Sequence, residues 1–244
     1  MQKKDPKVKQ AVILAGGLGT RLWPLTRETP KPMVRVVGKP FLHHLIDLLK
    51  KEGIEEVVLL LGYLPEKVVS YFKDGSRVGL KIKYHITDPS FQNGTRVKKA
   101  EPLFDETFLL LYGDIYWPLN LNKHIEFYKT KNVPVMMTVY NNKDGKGEFG
   151  YQNCIKTLGD YVTYYGPLSD NPEFQGLDLG FFIVNREVMK IAPRGDFEWQ
   201  TDFLRPLIAK KQLAAYRTDK HYCTITNQQL LKSAEEFLMH HPSK

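Results

Sequence analysis

The sequence has 244 residues, 42% apolar and 25% charged, the proportions of a soluble chain long enough for one large α/β domain or two small ones. No run of about 18 uninterrupted apolar residues occurs, which excludes a membrane-spanning helix. The net charge of +8 invites a nucleic-acid partner. The lysines, however, fall in scattered pairs (Lys3-Lys4, Lys50-Lys51, Lys98-Lys99, Lys210-Lys211) rather than on one basic helix. Nucleic acid is therefore not expected, and small anionic substrates account for the charge equally well.

In chain order, "QAVILA" (10–15) reads as a buried strand following a charged N-terminus too abrupt for an export signal. A glycine loop comes next, then "PFLHHLIDLLKKEG", which places Phe41, Leu42, Leu45, Ile46, Leu48 and Leu49 on one helical face with Gly53 just past its end. "IEEVVLLL" predicts a strand, "PEKVVSYFKDG" a helix opening on Pro65, and "LKIKYHI" a half-buried strand. "VKKAEPLF" is a short helical segment leading to the buried strand "TFLLLYGD"; "NLNKHIEFYKTKN" is helical and "VPVMMTVY" a core strand. From about 141 to 176 the chain turns rich in Gly, Asn, Asp, Tyr and Pro, with short strands such as "YQNCIKT" and "YVTYYG". "LDLGFFIVN" resumes a buried strand, and "FEWQTDFLRPLIAKK" and "NQQLLKSAEEFLMH" predict amphipathic helices. Strands joined by crossovers imply an α/β fold of three layers: a mostly parallel, Rossmann-like central sheet with helices on both faces and a variable second half. One domain over 1–244 is the simplest organisation. Two cysteines, Cys154 and Cys223, lack metal-ligand spacing and point to a reducing, cytoplasmic setting.

In open α/β sheets ligands bind beyond the carboxyl ends of the strands, so the loop after the first strand is the expected site. Leu14 and Ala15 lead into it. Gly16, Gly17 and Gly19 remove side chains where backbone N–H groups, with Thr20, can approach a polyphosphate. The spacing is neither a dinucleotide fingerprint nor a P-loop. Arg21 can grip a phosphate through both guanidinium nitrogens, and Lys31 is presented between Pro30 and Pro32. Asp114, an acid at the end of a buried strand beside that loop, has the chemistry of a Mg²⁺ ligand. Five of the seven histidines, His43, His44, His221, His240 and His241, carry no motif and read as structural or exposed.

The whole run G-x-G-T-R-L-x-P-L-T-x-x-x-P-K-P, from Gly17 to Pro32, resembles the signature of the sugar-1-phosphate nucleotidyltransferases. The resemblance covers roughly the first half of the chain. It implies a nucleoside triphosphate and a sugar 1-phosphate as substrates, Mg²⁺ as cofactor, and an NDP-sugar and pyrophosphate as products. It further implies a nucleotide-binding half at about 10–140 and a sugar-binding half at about 141–244. Arg21 and Lys31 take catalytic roles by the same resemblance, and Asp114, in "YGDIY", binds the metal. "NGTRVKKA" resembles the family's stretch near base and sugar, which makes Gln92 a candidate for a base edge and Gly94 a point of close ligand approach. Asp178-Leu179-Gly180 stands where relatives carry Asn-Ala-Gly, so Asp178 and Gly180 are candidate sugar contacts. Two departures stand out. Tyr164-Tyr165-Gly166-Pro167 replaces a Glu-Lys-Pro whose lysine serves the sugar phosphate, and Thr224 or Thr226 falls where a second metal-binding aspartate is expected. Three readings stay open: an enzyme with other ligands, Asp178 among them; an enzyme for an unusual substrate; or a non-catalytic relative that binds a nucleotide or nucleotide sugar. Base, sugar and oligomeric state also stay open, since Tyr164, Tyr165, Phe181 and Phe182 suit either a core or an interface.

Overall fold

The structure, a computed structural model, describes residues 7–241. Strand β1 (Gln10–Leu14) is buried along its whole length and pairs in parallel with two neighbours. The chain then makes a small hairpin from β2 (Arg35–Val36) and β3 (Lys39–Pro40), followed by helix α1 (Phe41–Lys51) and strand β4 (Glu56–Leu61). Helix α2 (Pro65–Phe72), strand β5 (Lys81–Ile86), helix α3 (Asn93–Lys99) and strand β6 (Thr107–Tyr112) complete the first half. Its four sheet strands lie in the order β5-β4-β1-β6, all parallel. β1, β4 and β6 are runs of Val, Ile and Leu because helices cover both of their faces.

The six apolar residues assigned to one face of α1 are all buried, each worth roughly 1.5–3 kcal/mol of burial. The helix ends where Gly53 adopts φ +83°, with Gly53 N–H on the Lys50 carbonyl and Ile54 N–H on that of Leu49, a Schellman turn.

The second half runs β7 (Ile115–Tyr116), α4 (Leu121–Lys129), β8 (Val135–Tyr140), β9 (Asn153–Leu158), β10 (Tyr161–Ser169), β11 (Leu177–Asn185), α5 (Arg205–Ala209), β12 (Leu213–Thr218), β13 (Cys223–Thr224) and α6 (Gln228–His240). It extends the same sheet to nine strands, β5-β4-β1-β6-β11-β8-β12-β10-β9. β11 is inserted antiparallel between β6 and β8, and β10 also runs against the rest, so seven strands share one direction. Phe181 and Phe182 are core residues of β11.

Two expected elements differ. The short helical segment expected at "VKKAEPLF" starts earlier, with "NGTR" forming the opening of α3. "FEWQTDFLRPLIAKK" is not one helix: residues 199–204 form a wide π-turn and α5 starts afresh at Arg205. Pro206 has no N–H to give to residue 202, and its ring crowds that carbonyl, so a continuous α-helix cannot pass. The small β7–β13 pair sets Thr224 opposite Ile115, and Ile225 N–H donates to the Asp114 carbonyl at 3.1 Å. The C-terminal segment is thereby laid directly beside residue 114.

Candidate active site

A cleft of about 650 Å³ opens at the carboxyl ends of β1 and β6, the position expected for an open α/β sheet. Leu14, Ala15, Gly16, Gly17, Gly19 and Thr20 all line it, joined by Arg21 and Lys31. The three glycines do different work. A Cβ on Gly16 would fall 2.4 Å from an Arg96 guanidinium nitrogen and 3.0 Å from the Gly62 backbone nitrogen. Gly16 is thus a packing glycine. Gly19 has φ +65°, and its Cβ would meet that of Lys31 at 2.9 Å; the left-handed turn and the close approach both demand glycine. The Thr26 hydroxyl pins this turn through the Gly19 carbonyl at 2.8 Å. A Cβ on Gly17 would meet nothing within 4 Å, and its φ is not left-handed. The fold does not require glycine there. Its effect is to keep space open in the cleft.

Arg96, 2% exposed, braces the loop from behind, donating to the carbonyls of Phe91, Leu61 and Pro89 and to the Thr87 hydroxyl. Burial lowers its pKa, and the charges of Asp88 and Asp196 act in the opposite direction. Three backbone carbonyls share its guanidinium.

Gly113 carries the β6 strand end against β1: its N–H donates to the Leu14 carbonyl at 2.9 Å, and a Cβ would lie 2.8 Å from that same oxygen. Asp114 follows and forms an ion pair with Lys31. Lys31 opens a short 3-10 turn, Lys31–Met33, rather than an extended segment. Arg21 is exposed and makes no hydrogen bond or ion pair among the described residues. Glu148, from the loop after β8, lines the same cleft; burial raises its pKa, the Thr226 hydroxyl lowers it, and the charge of Asp114 raises it again. Among the described residues no group of three or more His, Cys, Asp or Glu stands close enough to hold a metal ion.

The other end of the cleft is built from hydroxyls. Asp178 accepts from Tyr112 Oη at 3.1 Å, Tyr165 Oη at 2.8 Å and Gly180 N–H at 2.7 Å. Gln200 donates to Tyr112 Oη at 2.6 Å. Burial pushes the Asp178 carboxyl up to about 6 against the pull of these three donors, and it pushes Tyr112 and Tyr165 well above the usual tyrosine range. Gly166 and Pro167 line this end, without a lysine.

Residues 10–158 match the family described as Nucleotidyl transferase. The chain belongs to this family. It is 28% identical over 235 residues to a D-glycero-alpha-D-manno-heptose 1-phosphate guanylyltransferase of Aneurinibacillus thermoaerophilus, covering 95% of this chain and 99% of that one. It is 32% identical to the mannose-1-phosphate guanylyltransferase of Mycobacterium tuberculosis over 76% of this chain, and there it spans only about half (51%) of the relative's length. The structure of HddC from Yersinia pseudotuberculosis superposes with a TM-score of 0.78 at 24% identity, over 95% of this chain and 100% of that one, and shares the fold.

Within this nucleotidyl transferase, three of the candidate contacts fall elsewhere than expected. Gln92 and Gly94 do not line the cleft, although Asn93 between them does. Gly94 is buried because the Phe197 ring presses on it, 2.3 Å from where a Cβ would sit; the close approach is by the protein itself. Gly180 is likewise covered by the Tyr112 ring, at 2.3 Å from a would-be Cβ, and its φ of +67° makes the irregularity between Asp178 and Phe182. That bulge re-aims the strand so that Asp178 faces the cleft. Asp178 is engaged by tyrosines, not by Asp114. Glu148 and Gln200 lie in no local motif, and Tyr112 opens "YGDIY" without being marked by it as a site residue. For Glu148 the only signal is its place in the Gly-rich stretch "DGKGEFG", where a lone acid gives no hint of its destination. His44, bonded to the Val36 carbonyl at 2.9 Å, and His43, bonded to the Tyr71 hydroxyl at 2.9 Å, are structural as expected.

Proposed function

We propose that this nucleotidyl transferase joins a nucleoside triphosphate and a sugar 1-phosphate, giving an NDP-sugar and pyrophosphate. The single observation that carries this is the pairing of Lys31 with Asp114 at the mouth of the glycine loop, on a family framework whose relatives are named for sugar 1-phosphate substrates. The loop from Leu14 to Thr20 receives the triphosphate through backbone N–H groups, and Arg21, which has no hydrogen-bond or ion-pair partner among the described residues, grips its outer phosphates. Lys31 neutralises charge on the phosphorus under attack. The acceptor is a phosphate already ionised at neutral pH, so no general base is required. Orientation and charge stabilisation do the work.

The family implies a divalent cation, and the donors fit one. Asp114 supplies hard carboxylate oxygen, a cationic ammonium already rests on it, and the scarcity of further acids suits Mg²⁺, which keeps water and substrate phosphates in its shell. Asp114 would hold the Mg²⁺, which when bound would offset the charge of the substrate phosphates. The acceptor sugar belongs at the opposite end, where Asp178, Tyr165 and Gln200 offer hydroxyl-matching groups.

The test is pyrophosphate release with Mg²⁺, crossing GTP, CTP, UTP and dTTP against a panel of sugar 1-phosphates. Release with one pair, lost in Asp114→Ala, is the expected result. Silence across the panel, with triphosphates still raising Tm, would instead mark a nucleotide-binding relative without turnover.

A further inference from the structure

The segment that should bring a second carboxylate to Asp114 brings hydroxyls. The β7–β13 pairing and the Ile225 N–H bond to the Asp114 carbonyl lay residues 223–226 alongside the site. The side chains delivered there are Thr224 and Thr226, both buried and 2.9 Å apart between hydroxyl oxygens. A hydroxyl adds a ligand atom without charge, which is a weak substitute toward a hard dication.

A charged oxygen arrives from another direction. The loop after β8 is fastened onto this same segment, because Glu148 N–H donates to Tyr222 Oη at 2.9 Å. Asn142 locks the loop from inside: its amide nitrogen donates to the Gly150 carbonyl at 2.8 Å, and its amide oxygen accepts from Gly147 N–H at 2.9 Å. Gly147 is squeezed between Leu177 and Asn142, where a Cβ would lie 2.5 Å and 2.7 Å from them. The carboxylate that follows lines the cleft together with Asp114, Lys31 and Thr226.

We infer that Glu148 supplies the second carboxylate of the cation site, replacing from the loop after β8 the acid that positions 224 and 226 lack. The inference rests on the nucleotidyl-transfer reading. Thr226 becomes the residue that orients Glu148, and Asp114 with Glu148 gives two carboxylates, enough for an ion whose remaining ligands are water and phosphate oxygens. The cation is drawn to the phosphates by charge contributed from both halves of the chain.

The experiment uses the full chain, with Mn²⁺ as the ion and inorganic tripolyphosphate as a base-independent probe, and reads bound Mn²⁺ by electron paramagnetic resonance. Glu148→Gln keeps the backbone bond to Tyr222, and circular dichroism checks its fold. The expected result is bound Mn²⁺ in the wild type, weakened about tenfold or more in Glu148→Gln, and recovered when Thr226→Asp is added to Glu148→Gln. No bound Mn²⁺ in the wild type, wild-type affinity in Glu148→Gln, or a loss that Thr226→Asp leaves uncorrected would each overturn the inference. Pyrophosphate release is measured in parallel. Mn²⁺ binding that follows Glu148 in a protein that turns over no substrate pair removes the transfer reading and keeps the site. Turnover together with Mn²⁺ binding indifferent to Glu148 does the opposite.

Discussion

The two ends of the cleft are built by different means. At the glycine-loop end one contiguous run, residues 14–21, presents backbone groups and cations, with Arg96 bracing it from behind. At the opposite end four separate elements each give one side chain: Tyr112 from the end of β6, Tyr165 from β10, Asp178 from β11 and Gln200 from the π-turn. Backbone recognition needs a particular loop shape and tolerates little change. Side-chain recognition needs only that the sheet bring suitable groups together, so its composition is free to vary with the acceptor. Under the proposed function, the first end would serve what all triphosphates share and the second what distinguishes one acceptor from another.

The largest effect expected from breaking this arrangement is at the hinge between the ends. Asp114→Ala should cut the rate of pyrophosphate release by about 10³-fold or more, as should Lys31→Met by about 10²-fold, since each removes charge that counts in the transition state. Both variants should keep a cooperative thermal transition, because the pair lies at the cleft surface and not in the core. A variant that loses activity only in proportion to lost folded protein would move these residues out of the chemistry.

Within the loop itself, neighbouring glycines should separate fold from binding. Gly16→Ala drives a methyl against the buried Arg96 guanidinium and should cost about 1–3 kcal/mol of stability. Gly17→Ala meets only open space and should leave Tm within a degree or two while weakening triphosphate binding about tenfold. Urea unfolding and nucleotide titration of the same two proteins decide the matter, and equal behaviour of the pair would refute a division of labour.

The same contrast explains what was legible in the sequence. The parallel strands and α1 follow from runs of Val, Ile and Leu and from a 3.6-residue period, because both depend on local pattern and burial. The place of the glycine loop on the cleft was legible because its residues are adjacent in the chain. At Gly94 and Gly180 a glycine signals close approach without saying what approaches; in the structure Phe197 and the Tyr112 ring crowd them. Gln200 and Glu148 reach the cleft only through a π-turn forced by Pro206 and a loop tied to Tyr222, neither of which leaves a period in the sequence.

At the acceptor end, Asp178 offers a pH-dependent test. Its folded pKa of about 6 lies above that of a free carboxyl, so the folded state binds the proton more tightly than the unfolded one. The contribution is favourable at low pH and is lost as pH rises from about 4 through 6, leaving a cost of roughly 1–3 kcal/mol at neutral pH. Asp178→Asn, which stays neutral, should therefore raise Tm at pH 7.5 and make no difference near pH 3.5. The acceptor KM should rise in the same variant while triphosphate binding holds. A Tm gain of the same size at both pH values would mean that packing, not ionisation, sets the effect.

The smallest effect is expected just outside the cleft, and it tests where the cleft ends. Gln92 precedes α3 with its backbone engaged at both poles: N–H on Asp196 Oδ1 at 3.0 Å, carbonyl accepting from Arg96 N–H at 3.1 Å. Its side chain makes no cap bond and is exposed to solvent. Removing it should change neither bond, so Gln92→Ala should shift triphosphate affinity by less than about twofold. Asn93, one residue on, lines the cleft, and Asn93→Ala should weaken binding several-fold, about 1 kcal/mol for one hydrogen bond to the ligand. The two substitutions differ by a single position across the helix boundary, Gln92 being the extended N-cap and Asn93 the first helical residue. Binding of each variant to the same triphosphate by calorimetry reads the difference directly. If Gln92→Ala proved the more damaging of the two, α3 would have to turn toward the ligand on binding and draw the Asp196 loop with it.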